Sequence, residues 1–163
     1  MDNHPTLTPR RAQTREKLMD AAVSLFAAKG VLGASVEEIC ERAEFTRGAF
    51  YSNFASKDEL CLAVMDRQAG RDLSAAAHTV AGLLADVTAS TTLDELIERA
   101  VGVFLATQPR DTEDLVVAME LRLYGVRNPV LREPLLALNQ EVATELGGIM
   151  GRALTREHAR MTV

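Results

Sequence analysis

From Thr8 onward the apolar positions recur at helical spacing, and nowhere do they alternate as a half-buried strand requires. Leu18, Ala21, Ala22, Leu25 and Phe26 mark one face of a helix over about residues 9–29. Thr8 supplies its N-cap, Pro9 its first position and Gly30 its C′ residue. Ser35-Val36-Glu37-Glu38 spells a capping box, in which the Ser hydroxyl accepts from the third helical N–H while Glu38 reaches back to the cap. Val36, Ile39, Cys40 and Ala43 follow on one face for only about two turns, because Glu44-Phe45-Thr46 leads straight into another helix start capped by Thr46. The third helix is predicted over Arg47 to Phe54. Ser56-Lys57-Asp58-Glu59 is a second capping box that opens a long helix through Leu60, Val64 and Met65.

The long helix continues through Leu73, Ala77, Val80, Ala81, Leu84 and Val87, interrupted at Gly70 and Gly82, and a turn is predicted at 88–92. Leu93, Leu96, Ile97, Ala100, Val101, Phe104 and Leu105 fit an amphipathic template that ends before Gln108-Pro109. The segment from Thr112 to Arg127 is apolar nearly all round and is expected to be central. Asn128-Pro129 breaks it, and a last helix is predicted over 131–154, loosened by Gly147, Gly148 and Gly151. The fold class is therefore all-α. Two helices of about two turns, joined by roughly three residues, pack as a crossed pair, and that arrangement is a helix-turn-helix.

Charge sharpens this reading. The chain has 163 residues and a formal net charge of −5, unfavourable for a nucleic-acid partner until it is divided. Residues 1–57 hold eight Lys/Arg against seven Asp/Glu, and the remainder ten against sixteen. Four of the eight basic residues fall in PRRAQTREK, Pro9 to Lys17, which read alone is an ordinary charged helix face. Arg10 and Arg11 are read either as an extension of a DNA footprint or as a terminal segment disordered without DNA. Cys40 and Cys61 lie outside CxxC spacing and read as small buried apolar residues. No metal-ligand spacing, nucleophile elbow or phosphate loop is present, so neither an enzyme nor a metal or cofactor is expected. The absence of a signal segment or long apolar run points to a cytoplasmic protein without a membrane partner.

The third helix carries the candidate chemistry. Its start at Thr46 exposes first-turn N–H groups suited to a phosphate, Arg47 offers a bidentate donor to phosphate or guanine, and Gly48 permits close backbone approach. Phe50 and Phe54, four apart, are expected to face the core against Ile39 and Leu60, with Phe45 at the turn. Tyr51, Ser52 and Asn53 are placed nearer the exposed side, within reach of phosphates or base edges. Ser52 reads equally well as plain solvent exposure.

LFAAKG followed by SVEEICERAEFTRGAFYSNFASKDEL resembles the DNA-binding domain of the TetR/AcrR family of bacterial transcriptional regulators, over about residues 12–65. The resemblance implies a three-helix DNA-binding domain at 1–56 and a helical ligand-binding and dimerisation domain at 57–163. It implies a homodimer on a palindromic double-stranded DNA operator, and most often a repressor released by a small-molecule effector, although some members activate. The positions it marks as DNA contacts are Val36, Thr46, Arg47, Gly48, Tyr51, Ser52, Asn53 and Lys57. A small polar residue is common in the family where Val36 stands. Histidine often stands at the position of Asn53, and Asn can pair with adenine. Lys57 opposes the dipole of the helix it opens, which favours a phosphate role over a purely structural one.

Phe104, Met119, Leu123 and Tyr124 are candidates for a ligand pocket between helices, with His78, Glu120 and Arg122 as its polar members. Each also reads as ordinary core or surface, and Arg122 as a partner for Glu133 or another surface carboxylate. Family members continue for one or two helices beyond the region of Leu131 to Leu154, so the second domain is expected to be incomplete at its C-terminal end, or else that helix itself forms the dimer. A helical protein-interaction module is the competing class, and sequence-specific operator binding separates the two.

Overall fold

A computed structural model of the chain describes residues 8–85, 92–106 and 111–161. Among them run seven helices: α1 Pro9–Gly33, α2 Val36–Arg42, α3 Arg47–Tyr51, α4 Lys57–Ala85, α5 Leu93–Ala106, α6 Thr112–Arg127 and α7 Pro129–Met161. They divide into two compact units, Met1–Met65 with Asp111–Leu135, and Asp66–Arg110 with Leu136–Val163. The expected domain boundary after residue 56 does not coincide with this division, because α6 packs on α1 and joins the first unit.

The first unit grows from the capping signals in the sequence. Ser35 Oγ accepts from the Glu38 N–H at 3.2 Å and Glu38 Oε2 accepts from the Ser35 N–H at 2.9 Å, the reciprocal box that allows a seven-residue helix to stand. Lys29 from α1 pairs with the same carboxylate. That hydrogen bond, followed by those from Ser35, holds the Glu38 carboxyl down at about 2. Phe26, Ile39, Phe50, Phe54, Leu60 and Val64 are buried together with Leu18 and Ala22, which aligns α1, α2, α3 and the start of α4 around one core. The Cys40 and Cys61 thiols are free and buried in it, and burial pushes the Cys61 thiol up to about 12.

Gly30 departs from helical geometry with φ +75°, and Val31–Gly33 resume the helix beyond it. Glu120 of α6 accepts the Val31 N–H at 3.2 Å, just beyond the kink. α6 is not central, contrary to its all-round apolar pattern. Val117, Leu121 and Gly125, each four apart, form its buried stripe, while Met119, Leu123 and Val126 are 63%, 48% and 56% exposed. A helix touching its unit along one stripe buries only that stripe, whatever the rest of its surface contains.

α3 is shorter than its pattern predicts. It ends at Tyr51, with Ser52 as C-cap and Asn53 and Phe54 in the turn that follows. α4 runs unbroken through Gly70 and Gly82, and α7 begins at Pro129, one residue after α6. In the second unit Ala76 and Val80 of α4 are buried, whereas Ile97, Val101 and Leu105 of α5 are about half exposed or more. No helix among the described residues is long and apolar enough to cross a membrane.

Candidate nucleic-acid interface

The turn between α2 and α3 runs through Ala43 to Thr46 and uses a left-handed residue, Glu44 at φ 59°. It delivers Thr46 as the N-cap of α3, its Oγ1 accepting from the Ala49 N–H at 3.1 Å. Thr46, Arg47 and Gly48 are exposed, as is Tyr51. The Arg47 guanidinium lies 2.9 Å from Glu37 of α2 and 5.9 Å from the centroid of the Tyr51 ring. Hydrogen bonding to Tyr51, then the Glu37 charge, raise its pKa. Tyr51 stands edge-on to the buried Phe50 at 5.2 Å, which fixes its ring while leaving the residue half exposed.

A Cβ built on Gly48 would meet only Thr46 Oγ1, at 3.7 Å. The fold itself therefore gives no packing reason for glycine here.

Two candidate positions fall elsewhere than their pattern places them. Asn53 is 7% exposed, with its Nδ2 donating to the Ala49 carbonyl at 2.8 Å. Once α3 ends at Tyr51, the chain turns Asn53 under the helix instead of along its outer face. Its Oδ1 has no hydrogen-bond partner among the described residues. Lys57 is also turned inward: its Nζ donates to the Val31 and Ala34 carbonyls at 2.9 and 3.0 Å, satisfying acceptors where α1 ends. That use supplies the structural reason for a lysine at a helix start, which the dipole argument had discounted. Ser52 is exposed and its hydroxyl donates to the Ala49 carbonyl, and Val36 is half-buried.

Two residues outside the helix-turn-helix reach it. Arg11 Nη2 donates to the Ser52 carbonyl at 2.9 Å, and Arg15 Nη1 donates to the Asn53 carbonyl. Their i, i+4 spacing on α1 was the available sequence signal, but which carbonyls they would meet depends on how α1 crosses α3.

The ligand-pocket candidates do not gather in one place. Leu123, Tyr124 and Glu120 line a cleft of about 260 Å³ with Val31, Leu32, Arg127, Asn128 and Pro129. Met119 and Arg122 are exposed, and neither lines it. The Phe104 side chain lies outside the described residues. Tyr124 donates to Asp58 Oδ1 at 2.6 Å, and Asn128 Nδ2 donates to Asp58 Oδ2 at 3.0 Å. In the second unit a cavity of about 700 Å³ is bounded by Gly70, Leu73, Ser74 and Ala77 of α4 and Thr144, Glu145, Gly148 and Ile149 of α7. His78 bonds the Ser74 carbonyl from outside that lining.

An all-helical chain whose second and third helices cross as a helix-turn-helix, with the third presenting its start to solvent, belongs to the helix-turn-helix class. Comparison with known proteins narrows the class. The model for bacterial regulatory proteins of the tetR family matches residues 18–64. Over 59 residues the chain is 44% identical to the A-factor receptor protein of Streptomyces griseus, covering 36% of this chain and 21% of that one. It is 28% identical over 135 residues to the transcriptional activator FasR of Mycolicibacterium smegmatis, covering 83% and 55%. A solved structure of the multidrug binding protein EbrR complexed with ethidium superposes with a TM-score of 0.59 at 28% identity, covering 90% of this chain and 77% of that one. Residues 18–64 thus match the tetR family of bacterial regulatory proteins. Its aligned parts span a fifth and about half of the two curated relatives.

Proposed function

We propose that the protein is a sequence-specific DNA-binding transcriptional regulator, not an enzyme, that works as a homodimer on a palindromic operator and is released from it as a repressor by a small-molecule effector. The observation that carries this reading is the exposed start of α3, where Arg47 and Tyr51 flank a glycine that the protein's own packing does not require. Thr46, Arg47, Gly48 and Tyr51 are assigned to the DNA face, with Ser52 at its edge. Val36 is a peripheral contact. Asn53 and Lys57 act from within, by shaping α3 and the end of α1. Two copies are required because one short helix reads only a few base pairs, and paired recognition helices must meet major grooves about 34–36 Å apart.

The effector role draws on relatives described as an A-factor receptor and as a multidrug binding protein bound to ethidium. In this chain the cavity between α4 and α7 is the candidate effector site, having the larger volume of the two. Selection from a pool of randomised duplexes tests the function: enrichment of an inverted repeat, with binding weakened by salt, is expected. Enrichment of no sequence would refute it in favour of a helical protein-interaction module. Placing the enriched site before a reporter gene separates repression from the activation described for FasR.

A further inference from the structure

α3 has five residues, far below the length at which a helix holds itself in water. Its start is held by the Thr46 cap and its middle by the burial of Phe50. The carbonyls that follow its last turn, on Ser52 and Asn53, both accept from α1. Arg15 is fixed at two further points: its guanidinium carbon stands 4.0 Å from the Phe54 ring centroid, and Nη1 lies 3.9 Å from Glu59 Oε1. With its side chain 21% exposed, Nη1 facing both a carbonyl and a carboxylate and its guanidinium over a ring, Arg15 is committed inside the protein.

We propose that Arg15, seconded by Arg11 one turn before it, is a positioning residue for sequence reading: the two guanidiniums clamp the C-terminal end of the recognition helix and set the angle at which Gly48 and Tyr51 meet base edges. This role rests on the DNA-binding function proposed above. It differs from a phosphate contact in what it controls. Phosphate contacts raise affinity for all sequences alike, whereas the pose of a recognition helix affects only the discrimination between sequences. A lysine keeps the charge but has no planar group to lie over the Phe54 ring while it bonds the carbonyl.

The test begins with the duplex that the wild-type 163-residue chain enriches from a randomised pool. Affinities for that duplex and for a scrambled one are then measured at several salt concentrations for the wild type, Arg15→Lys and Arg11→Lys. Arg15→Lys is expected to lose about tenfold in the ratio of selected to scrambled affinity, with the scrambled affinity and the salt slope unchanged. Arg11→Lys should lose a smaller factor in the same ratio. A wild-type ratio in both variants, or equal weakening on both duplexes, would overturn the proposal. Should Arg15→Lys fail to fold by circular dichroism, Arg11→Lys decides by the same ratio, because its exposed side chain lies at the edge of the core. A wild-type protein that enriches nothing overturns the DNA-reading function itself, and this role with it.

Discussion

Gly48 occupies an exposed helical position where an alanine Cβ would stand 3.7 Å from its nearest neighbour, Thr46 Oγ1, an ordinary van der Waals contact. Alanine there is expected to stabilise the free protein by about 0.5–1 kcal/mol, the helix-propensity difference. The same substitution should weaken DNA binding at least tenfold, since a methyl group would stand where the duplex approaches. Urea melts and duplex titrations of one sample check both, and a tighter-binding Gly48→Ala would remove the close-approach argument. Glu37 is the second residue with a clear expectation. It holds Arg47 at 2.9 Å in an exposed pair, which is worth little to stability but competes with phosphate for the guanidinium. Glu37→Gln should therefore bind DNA several-fold more tightly at low salt, the gain shrinking as salt rises. At this scale the sequence showed residue types well and directions less well. Thr46, Arg47, Gly48 and Tyr51 are exposed as their positions in a short helix imply. Asn53 is turned inward because α3 ends at Tyr51, and Lys57 because its acceptors lie where α1 ends, distant in sequence.

Helices 2 and 3 start at Val36 and Arg47, where their capping signals place them, since capping is a matter of three or four neighbouring residues. Helix faces are another matter. The apolar excess of α6 marks it as core-forming, yet only the Val117, Leu121 and Gly125 stripe is buried. Contact with α1, and at Gly125 with Met65 and Leu135, selects that stripe, and nothing in the periodicity of α6 alone distinguishes it. The kink of α1 shows the same dependence. Gly30 could be recognised as a helix-ending glycine, but the Glu120 carboxylate that packs over it comes from ninety residues away. Gly30→Ala combines a left-handed backbone with a Cβ 2.7 Å from Glu120 Oε2, and should destabilise the protein by about 2 kcal/mol or more. Adding Glu120→Ala removes the contact. The double variant should then lose less than the sum of the two single losses, a coupling readable from urea midpoints at unchanged m.

Across the first unit, Asp58 at the start of α4 gathers the Tyr124 hydroxyl of α6 and the amide of Asn128 just before α7. Lys57 beside it holds the end of α1 and stands 5.9 Å from the Tyr124 ring centroid. Tyr124→Phe should cost about 1–2 kcal/mol by leaving Asp58 short of one donor. Burial, then the Asp58 hydrogen bond, push the Tyr124 hydroxyl from 10.0 up to about 12. The folded state thus favours the neutral phenol more than the unfolded state does. Its contribution is complete below pH 10 and is lost as pH rises through about 12. Between those values the wild type should lose stability more steeply than Tyr124→Phe, and parallel curves would show that the hydroxyl does not carry this linkage. By itself the sequence determined the all-helical class, the caps of α2 and α3, the crossed helix pair and the residue types at the start of α3, because each follows from spacing within a few turns of one chain. Only the tertiary structure decided which stripe of α6 is buried, that Lys57 and Asn53 turn inward, and that Arg11 and Arg15 reach the carbonyls just past α3. Those depend on where a carbonyl or a ring from a distant segment comes to rest, and short-range periodicity carries no record of that.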